Sequence, residues 1–184
     1  GFGPTPTPAY EITCPVAGLA GWPYSRSMVV DDANSDGWKD VVASLSNKPV
    51  NGVVKGGAFC IQWGPDFTSH VIVENPSPDP YDQFAIKLDV GDIDADGSPE
   101  VVVSSGVDNV GGVPPYLGRV YVYDLPGLEL LQTIENPLPV VGSPYFGDTM
   151  SLHDMNGDGD DDIITSDFKN HLFIFEAPTF SEWT

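Results

Sequence analysis

Acidic and amide side chains recur at one spacing in three short segments of the chain. The segments cover residues 32–40, 92–100 and 154–162, and each reads Asp-x-Asn/Asp-x-Asp-Gly-x-x-Asp/Glu. Positions 1, 3, 5 and 9 place carboxylate or amide oxygens around one point, and the glycine at position 6 allows a sharp turn. Hard oxygen ligands in this number suit Ca²⁺ better than zinc or copper. The sequence therefore predicts a calcium loop in each segment.

Each predicted site takes its ligands from the same five positions, with the main-chain carbonyl serving at position 7. The residues are Asp32, Asn34, Asp36, Trp38 and Asp40 in the first loop, Asp92, Asp94, Asp96, Ser98 and Glu100 in the second, and Asp154, Asn156, Asp158, Asp160 and Asp162 in the third. The second loop has four acids, so we expect it to bind its ion most tightly. Ca²⁺ is thus the predicted cofactor, at three sites.

Two other interpretations of the loops are weaker. They are similar to the first half of an EF-hand, but Ala43, Val103 and Thr165 stand where an EF-hand needs a bidentate acid. Acidic surface turns without an ion are the second alternative, because Asp-Gly and Asn-Gly are common turn formers. Without a cation, however, each loop would hold like charges within a few ångströms of one another, which is unfavourable.

The residues around the loops repeat as well, with a period of about 60 residues. An aromatic residue and a small residue stand before each loop as the pairs Tyr24-Ser25, Phe84-Ala85 and Phe146-Gly147. Apolar residues then alternate with period two up to the loop, and a β-branched run follows it. Each loop is therefore predicted to connect two strands.

Further strands are predicted in every repeat. A third strand covers 58–63, 119–123 and 171–175, and a fourth covers 70–74 and 132–135. Four antiparallel strands are the unit of a β-propeller blade. We predict an all-β fold of three blades over residues 10–184, preceded by an extended Pro/Thr-rich leader at residues 1–9.

Together these motifs resemble the FG-GAP repeat of integrin α-subunit propellers and their secreted microbial relatives. Phe146-Gly147 is a literal copy of the first signature of that family, whereas its second signature, Gly-Ala-Pro, is replaced by serine-containing turns. The resemblance covers the chain from about Tyr10 onward. It implies a calcium-stiffened propeller in an adhesion or recognition protein that is extracellular, secreted or at the cell surface.

Three blades do not close a propeller, which typically has four to eight. Residues 10–15 align with a fourth strand, and residues 178–184 begin one. We expect the N-terminal strand of one chain to complete the last blade of another, which would give a homo-oligomer or a polymer. The alternative is that the remaining blades lie in another polypeptide.

The net charge excludes some classes of binding partner, and the two cysteines suggest a disulfide. The formal charge of −20 excludes a nucleic-acid or anionic-membrane binder that works through its own field. No apolar run is long enough to insert into a membrane. In an extracellular setting we expect a disulfide between Cys14 and Cys60, with two buried thiols as the alternative.

We predict a non-enzymatic module for adhesion or structural self-assembly, with a glycan or an extracellular protein as candidate ligand. Strand packing or the adjacent third loop explains His70, His153 and His171, and calcium ligation explains the clustered acids. The alternative function is a calcium-dependent carbohydrate-binding propeller, and a polysaccharide lyase or hydrolase is less favoured. Candidate sugar-stacking residues are Trp22, Trp38, Trp63, Tyr116 and Trp183.

Overall fold

A computed structural model of the chain describes residues 11–13, 26–106, 117–138 and 145–178, and the backbone of 181–182. Within these ranges the chain forms twelve strands and no helix. The strands are β1 (Met28–Asp31), β2 (Asp40–Ser44), β3 (Ala58–Gln62), β4 (His70–Glu74), β5 (Lys87–Gly91), β6 (Glu100–Ser105), β7 (Arg119–Asp124), β8 (Leu130–Glu135), β9 (Met150–His153), β10 (Asp162–Ser166), β11 (Leu172–Glu176) and β12 (Ser181–Glu182). The described ranges hold no helix with the length and apolar character to span a membrane.

The strands form three sheets of four, each ordered as it follows the chain: β1 to β4, β5 to β8 and β9 to β12. All neighbours pair antiparallel. We call these sheets blades 1, 2 and 3. They confirm the predicted all-β class and the four-stranded blade. In the part of the chain that the structure describes, β5 contacts both β1 and β9, and the blades do not close into a ring.

The fourth strand of blade 3 is short. Ser181 and Glu182 pair with Glu176 and Phe175, so this segment starts the strand that the sequence predicted there. Residues 11–13, within the predicted N-terminal strand, are in no strand, and the leader and the rest of that predicted strand lie outside the described residues. Completion of a blade by another chain therefore stays a prediction.

Successive side chains of β6 point to opposite faces of blade 2 and pack against different neighbouring blades. All six residues of β6 are buried, because this strand belongs to the middle blade and both of its faces are covered. Val101 and Val103 join the core shared with blade 1, while Val102 joins the core shared with blade 3. Because β6 is covered by a blade on each face, it needs apolar residues at successive positions, and its run of valines supplies them.

Aromatic rings fill both of these cores. Between blades 1 and 2, the rings of Phe84 and Tyr121 meet edge to face with centroids 5.3 Å apart. Between blades 2 and 3, Phe146 meets Phe173 in the same way at 5.5 Å. Phe84 and Phe146 are the aromatic residues of the repeated aromatic-small pair, and both are fully buried. Tyr24, their counterpart in the first repeat, lies outside the described residues.

A glycine before the third strand lets neighbouring blades approach at the backbone. Gly57 and Gly118 have left-handed φ values of 85° and 71°. A Cβ on Gly57 would stand 2.5 Å from the carbonyl oxygen of Phe84, and one on Gly118 would overlap the backbone of Phe146. Asn170 occupies the same position in blade 3, also with positive φ, and it is exposed.

We expect Gly118→Ala to lower the free energy of unfolding by more than about 3 kcal/mol, because it adds a backbone clash to an unfavourable φ. Gly52→Ala is the matched control, since Gly52 has a similar φ of 81° but open space around it. The control should lose only about 1 kcal/mol. Urea denaturation of the two variants measures both values, and equal losses would show that the close approach is unimportant.

Candidate metal centre

The three acidic segments are loops that join the first strand of each blade to the second. Their backbones share one conformation, in which position 6 is a glycine with positive φ: Gly37 at 90°, Gly97 at 88° and Gly159 at 106°. Position 4 is also left-handed, and there two of the three residues are not glycine, namely Ser35 and Ala95. The predicted turn at position 6 is therefore present, and a second one precedes it.

Backbone amides hold the predicted ligands in the same way in each loop. The amide of position 6 donates to the position 1 carboxylate, over 2.8 Å to Asp32, 3.1 Å to Asp92 and 3.2 Å to Asp154. The amide of position 5 donates to the side chain of position 3, and the amide of position 7 donates to the side chain of position 5. Three loops with one hydrogen-bond pattern are structural repeats as well as sequence repeats.

The acid at position 9 is buried in every loop and closes the loop. Asp40, Glu100 and Asp162 are each at most 2% exposed. Their carboxylates accept the amide of position 2 at distances of 2.9, 2.8 and 3.0 Å, respectively. The acid is the first residue of the strand that follows the loop, and its hydrogen bond connects that strand to the start of the loop.

The second loop differs from the others in how this acid is held. The other oxygen of Asp40 accepts the amide of Gly64 at 2.7 Å, and that of Asp162 accepts the amide of Ala177 at 3.0 Å. Gly64 and Ala177 each precede a proline at the end of the third strand. Leu125 is their counterpart in blade 2, and among the described contacts its amide makes no hydrogen bond to Glu100. One oxygen of Glu100 is thus not fixed by this second amide.

Three acids of the second loop converge on one point. Carboxylate oxygens of Asp92, Asp94 and Glu100 all lie within 4.8 Å of one another. One oxygen of Asp92 is buried and has no hydrogen-bond partner. This is the only such group of three acids, or of acids with histidine or cysteine, among the described residues. The arrangement can hold a divalent cation between positions 1, 3 and 9.

Other predicted ligands are oriented differently. Asp96 is not in the converging group, and its carboxylate accepts the amide of Ser98 at 2.7 Å. In the first and third loops position 3 is an asparagine, and its side-chain nitrogen donates to the position 5 acid. The predicted ligand sets are therefore brought together in part, most completely in the second loop.

Burial dominates the electrostatics of the second loop. Burial, the largest cause, acts together with the nearby charges of Asp94, Asp92 and Asp96 to raise the pKa of Glu100 from 4.5 to about 7. The hydrogen bond from Ile93 opposes this shift only in part. A bound cation would favour the charged form of Glu100 and reverse the shift.

The second and third loops are in direct contact. The amide of Asp161 donates to the carbonyl oxygen of Asp92 at 2.8 Å. The pKa of Asp160 is raised by partial loss of solvent and then by Asp158, Asp92 and Asp94. An ion in either loop is therefore expected to change the charge environment of the other.

The remaining candidate residues occupy separate places. Trp38 is exposed at position 7 of the first loop, whereas Trp63 packs against the core between blades 1 and 2. The ring of His171 lies 2.8 Å from the buried carboxylate of Asp167, and His70 and His153 are exposed on strands. Trp22, Tyr116 and Trp183 lie outside the described residues, as does Cys14. Cys60 is buried in β3. Because Cys14 is outside the described residues, the disulfide between the two stays a prediction.

Some residues that shape the site were not predicted. They are the residues whose backbone amides donate to the position 9 acid: the residue at position 2 of each loop and, in blades 1 and 3, the residue before the proline that follows the third strand. The signal was a proline that follows the third strand in every repeat, at Pro65, Pro126 and Pro178.

Comparison with curated proteins finds that the chain is similar to human integrin alpha-6. The two are 27% identical over 158 residues, which cover 84% of this chain and 13% of integrin alpha-6. The chain thus spans a small part of that relative. No protein-family model matches the chain. The similarity extends over most of the three blades and agrees with their architecture.

Glu100 should make stability depend on pH in calcium-free buffer. Its folded pKa lies above its unfolded value, so its favourable contribution is complete below pH 4.5 and is lost as the pH rises to about 7. We expect Glu100→Gln to be more stable than the natural chain by up to about 3 kcal/mol at pH 8, and equally stable at pH 4.5. Chemical denaturation in chelator at both pH values measures this difference.

The matched control is Glu129→Gln, which makes the same chemical change at an exposed position. It should alter stability by less than about 0.5 kcal/mol at either pH. A Glu100→Gln effect that does not vary with pH would contradict the prediction.

Proposed function

We propose that this chain is an FG-GAP-type β-propeller segment in which Ca²⁺ stiffens the loops between the first and second strands. The observation that carries the proposal is the convergence of Asp92, Asp94 and Glu100, with one Asp92 oxygen buried and unpartnered. Three carboxylates this close repel one another in the absence of a cation. Carboxylate oxygens in such a group are the ligands that Ca²⁺ takes at about 2.3 to 2.6 Å.

The proposed role of calcium is structural. Each loop fixes the register between the first two strands of its blade, and the second and third loops touch each other. An ion that binds the folded loops but not the unfolded chain stabilises the fold by mass action. Without an ion, repulsion between the carboxylates would destabilise this loop conformation.

Calcium binding to these loops is tested by isothermal titration of the chelator-treated chain. We expect three ions per chain, and about two for Asp94→Ala, because that variant removes a converging carboxylate. Asp66→Ala is the control, since Asp66 is an exposed acid in a turn outside the loops. It removes the same charge and should leave the stoichiometry unchanged. Absence of calcium binding by the natural chain would refute the proposed function.

Chelation should lower the melting temperature. A site held at about 100 times its dissociation constant adds about 2.7 kcal/mol. For a domain of this size that corresponds to about 5 to 10 °C per site. Melting in calcium, in magnesium and in chelator measures the effect, and superimposed calcium and chelator curves would contradict it.

We further propose an extracellular or cell-surface location and a role in adhesion or structural self-assembly. The likeness to integrin alpha-6 over 84% of the chain supports a propeller-like module, and the FG-GAP resemblance implies the setting. The ligand would be a protein, a glycan or further blades, and no catalytic role is part of the proposal.

Assembly is supported by apolar side chains on the outer faces of the end blades. Met28 on blade 1 is 63% exposed, whereas Leu88 at the same position of blade 2 is 6% exposed. Leu172 on blade 3 is 67% exposed, and its counterpart Val120 is fully buried. Further blades, from a second copy or from another polypeptide, would cover such faces.

Light scattering in millimolar calcium distinguishes these partners. A mass of two chains or a polydisperse polymer is expected if copies of the chain complete one another. A single mass of 19.7 kDa would exclude self-assembly and leave blades of another polypeptide as the partner.

A calcium-dependent carbohydrate-binding role is the second candidate. It is favoured by the exposed indole of Trp38, which lies within the first acidic loop. A glycan array with and without calcium, repeated with Trp38→Ala, tests it. Absence of any calcium-dependent signal would exclude this candidate.

A further inference from the structure

A cavity of about 140 Å³ lies beside the second loop, between blades 2 and 3. Among the described residues, four of those that line it are apolar and two are acids of the converging group; they are Ile93, Val122, Leu131, Pro178, Asp94 and Glu100. Cavities of about 150 Å³ lined by apolar side chains accept a benzene-sized molecule. This cavity therefore has room for a short branched or aromatic group next to the proposed ion.

Two features distinguish this position in blade 2 from blades 1 and 3. Position 9 is a glutamate here and an aspartate in the other two loops, and Leu125 does not fix its second oxygen. The pairing of β7 with β8 also shifts register between Val122 and Tyr123, so Leu131 is an extra residue on β8. Bulges of this kind redirect a side chain, and Leu131 lines the cavity.

The proposed ion has room for a ligand from outside the chain. The second loop offers carboxylates from four residues and one main-chain carbonyl. With one oxygen from each of these groups the loop supplies five, and Ca²⁺ accepts six to eight, which leaves room for water or an added ligand. Because Asp94 and Glu100 belong both to the converging group and to the cavity wall, that ligand would approach through the cavity.

We propose that the cavity binds a carboxylate that carries a short branched or aromatic group. The apolar group lies against Val122, Leu131 and Pro178, and the carboxylate enters the coordination shell of the calcium ion in the second loop. The inference rests on the proposed function, because without the ion Asp94 and Glu100 would repel an anion. A free acid and the C-terminal residue of a peptide share this chemistry.

The test uses the full chain, labelled with ¹⁵N and saturated with calcium. Calcium is added first, and shifts of the Ser98 and Glu100 amides report whether the second loop is occupied. The probe 3-methylbutanoate is then titrated, and shifts of the Ile93, Val122 and Leu131 amides give its affinity. We expect millimolar binding in calcium, and loss of binding in chelator.

Three comparisons test the chemistry. The neutral isostere 3-methylbutanamide should bind about tenfold more weakly or worse, because it lacks the charge that the ion attracts. Leu131→Trp should fill the cavity and so lower the affinity for 3-methylbutanoate by about tenfold or more. Leu130→Trp, on the same strand but outside the cavity wall, should change affinity by less than about twofold.

The outcomes separate the two proposals. Absence of calcium shifts at Ser98 and Glu100 would overturn both the second calcium site and this inference. Calcium binding without an effect of the acid would overturn the inference alone. Equal affinity for acid and amide, or binding unaffected by Leu131→Trp, would also overturn it, as would preferential binding of 3-methylbutylamine in chelator.

A further probe distinguishes the two sources of the carboxylate. Tighter binding of N-acetyl-leucine than of 3-methylbutanoate would indicate the C-terminus of a peptide. The reverse order would indicate a free acid.

Discussion

A buried carboxylate at position 9 of each acidic loop joins parts of the blade that are distant in sequence. Asp40 accepts the amide of Ala33 at the start of its loop and the amide of Gly64 at the end of the third strand. Asp162 makes the equivalent pair of bonds with Met155 and Ala177. A buried charge is unfavourable unless hydrogen bonds or counter-charges compensate it. This one carboxylate therefore ties the start of the acidic loop and, in blades 1 and 3, also the end of the third strand to the start of the second strand.

Blade 2 shows what happens when the compensation changes. Glu100 is one methylene longer, and it receives one of the two backbone bonds. Burial, the largest cause, raises its pKa, and the loop around it holds the converging group of three acids. The same substitution is accompanied by a cavity against blade 3. In blade 2, the missing second backbone hydrogen bond to position 9 thus coincides with the convergence of three acids.

Much of the fold could be predicted because its signals are local and repeated. Alternation before each loop and β-branched runs after it identified β5 and β6, and the spacing of the acids identified the loops. The aromatic-small pair marked Phe84 and Phe146, which the structure buries between blades. These features depend on residue type at a fixed offset, which a sequence displays directly.

Other features could not be predicted because residue type and spacing do not determine backbone conformation, side-chain orientation or strand register. The left-handed residues Ser35 and Ala95 carry no glycine signal. The orientation of Asp96 depends on the amide of Ser98, and the extra residue Leu131 becomes visible only from its pairing with β7. A sequence shows which oxygens are present in a loop, but the surrounding hydrogen bonds decide which of them meet.

The residue before the third strand gives the stack of blades a direction. Gly57 and Gly118 admit the backbone of the following blade because they have no Cβ, and both are buried by that contact. Asn170 holds the same place on blade 3 with an exposed side chain. A sheet that covers this face cannot repeat the spacing between blades 1 and 2 unless Asn170 moves aside. The face of blade 3 at Asn170 therefore differs from the corresponding faces of blades 1 and 2, and a sheet placed against it would have to lie at a greater distance.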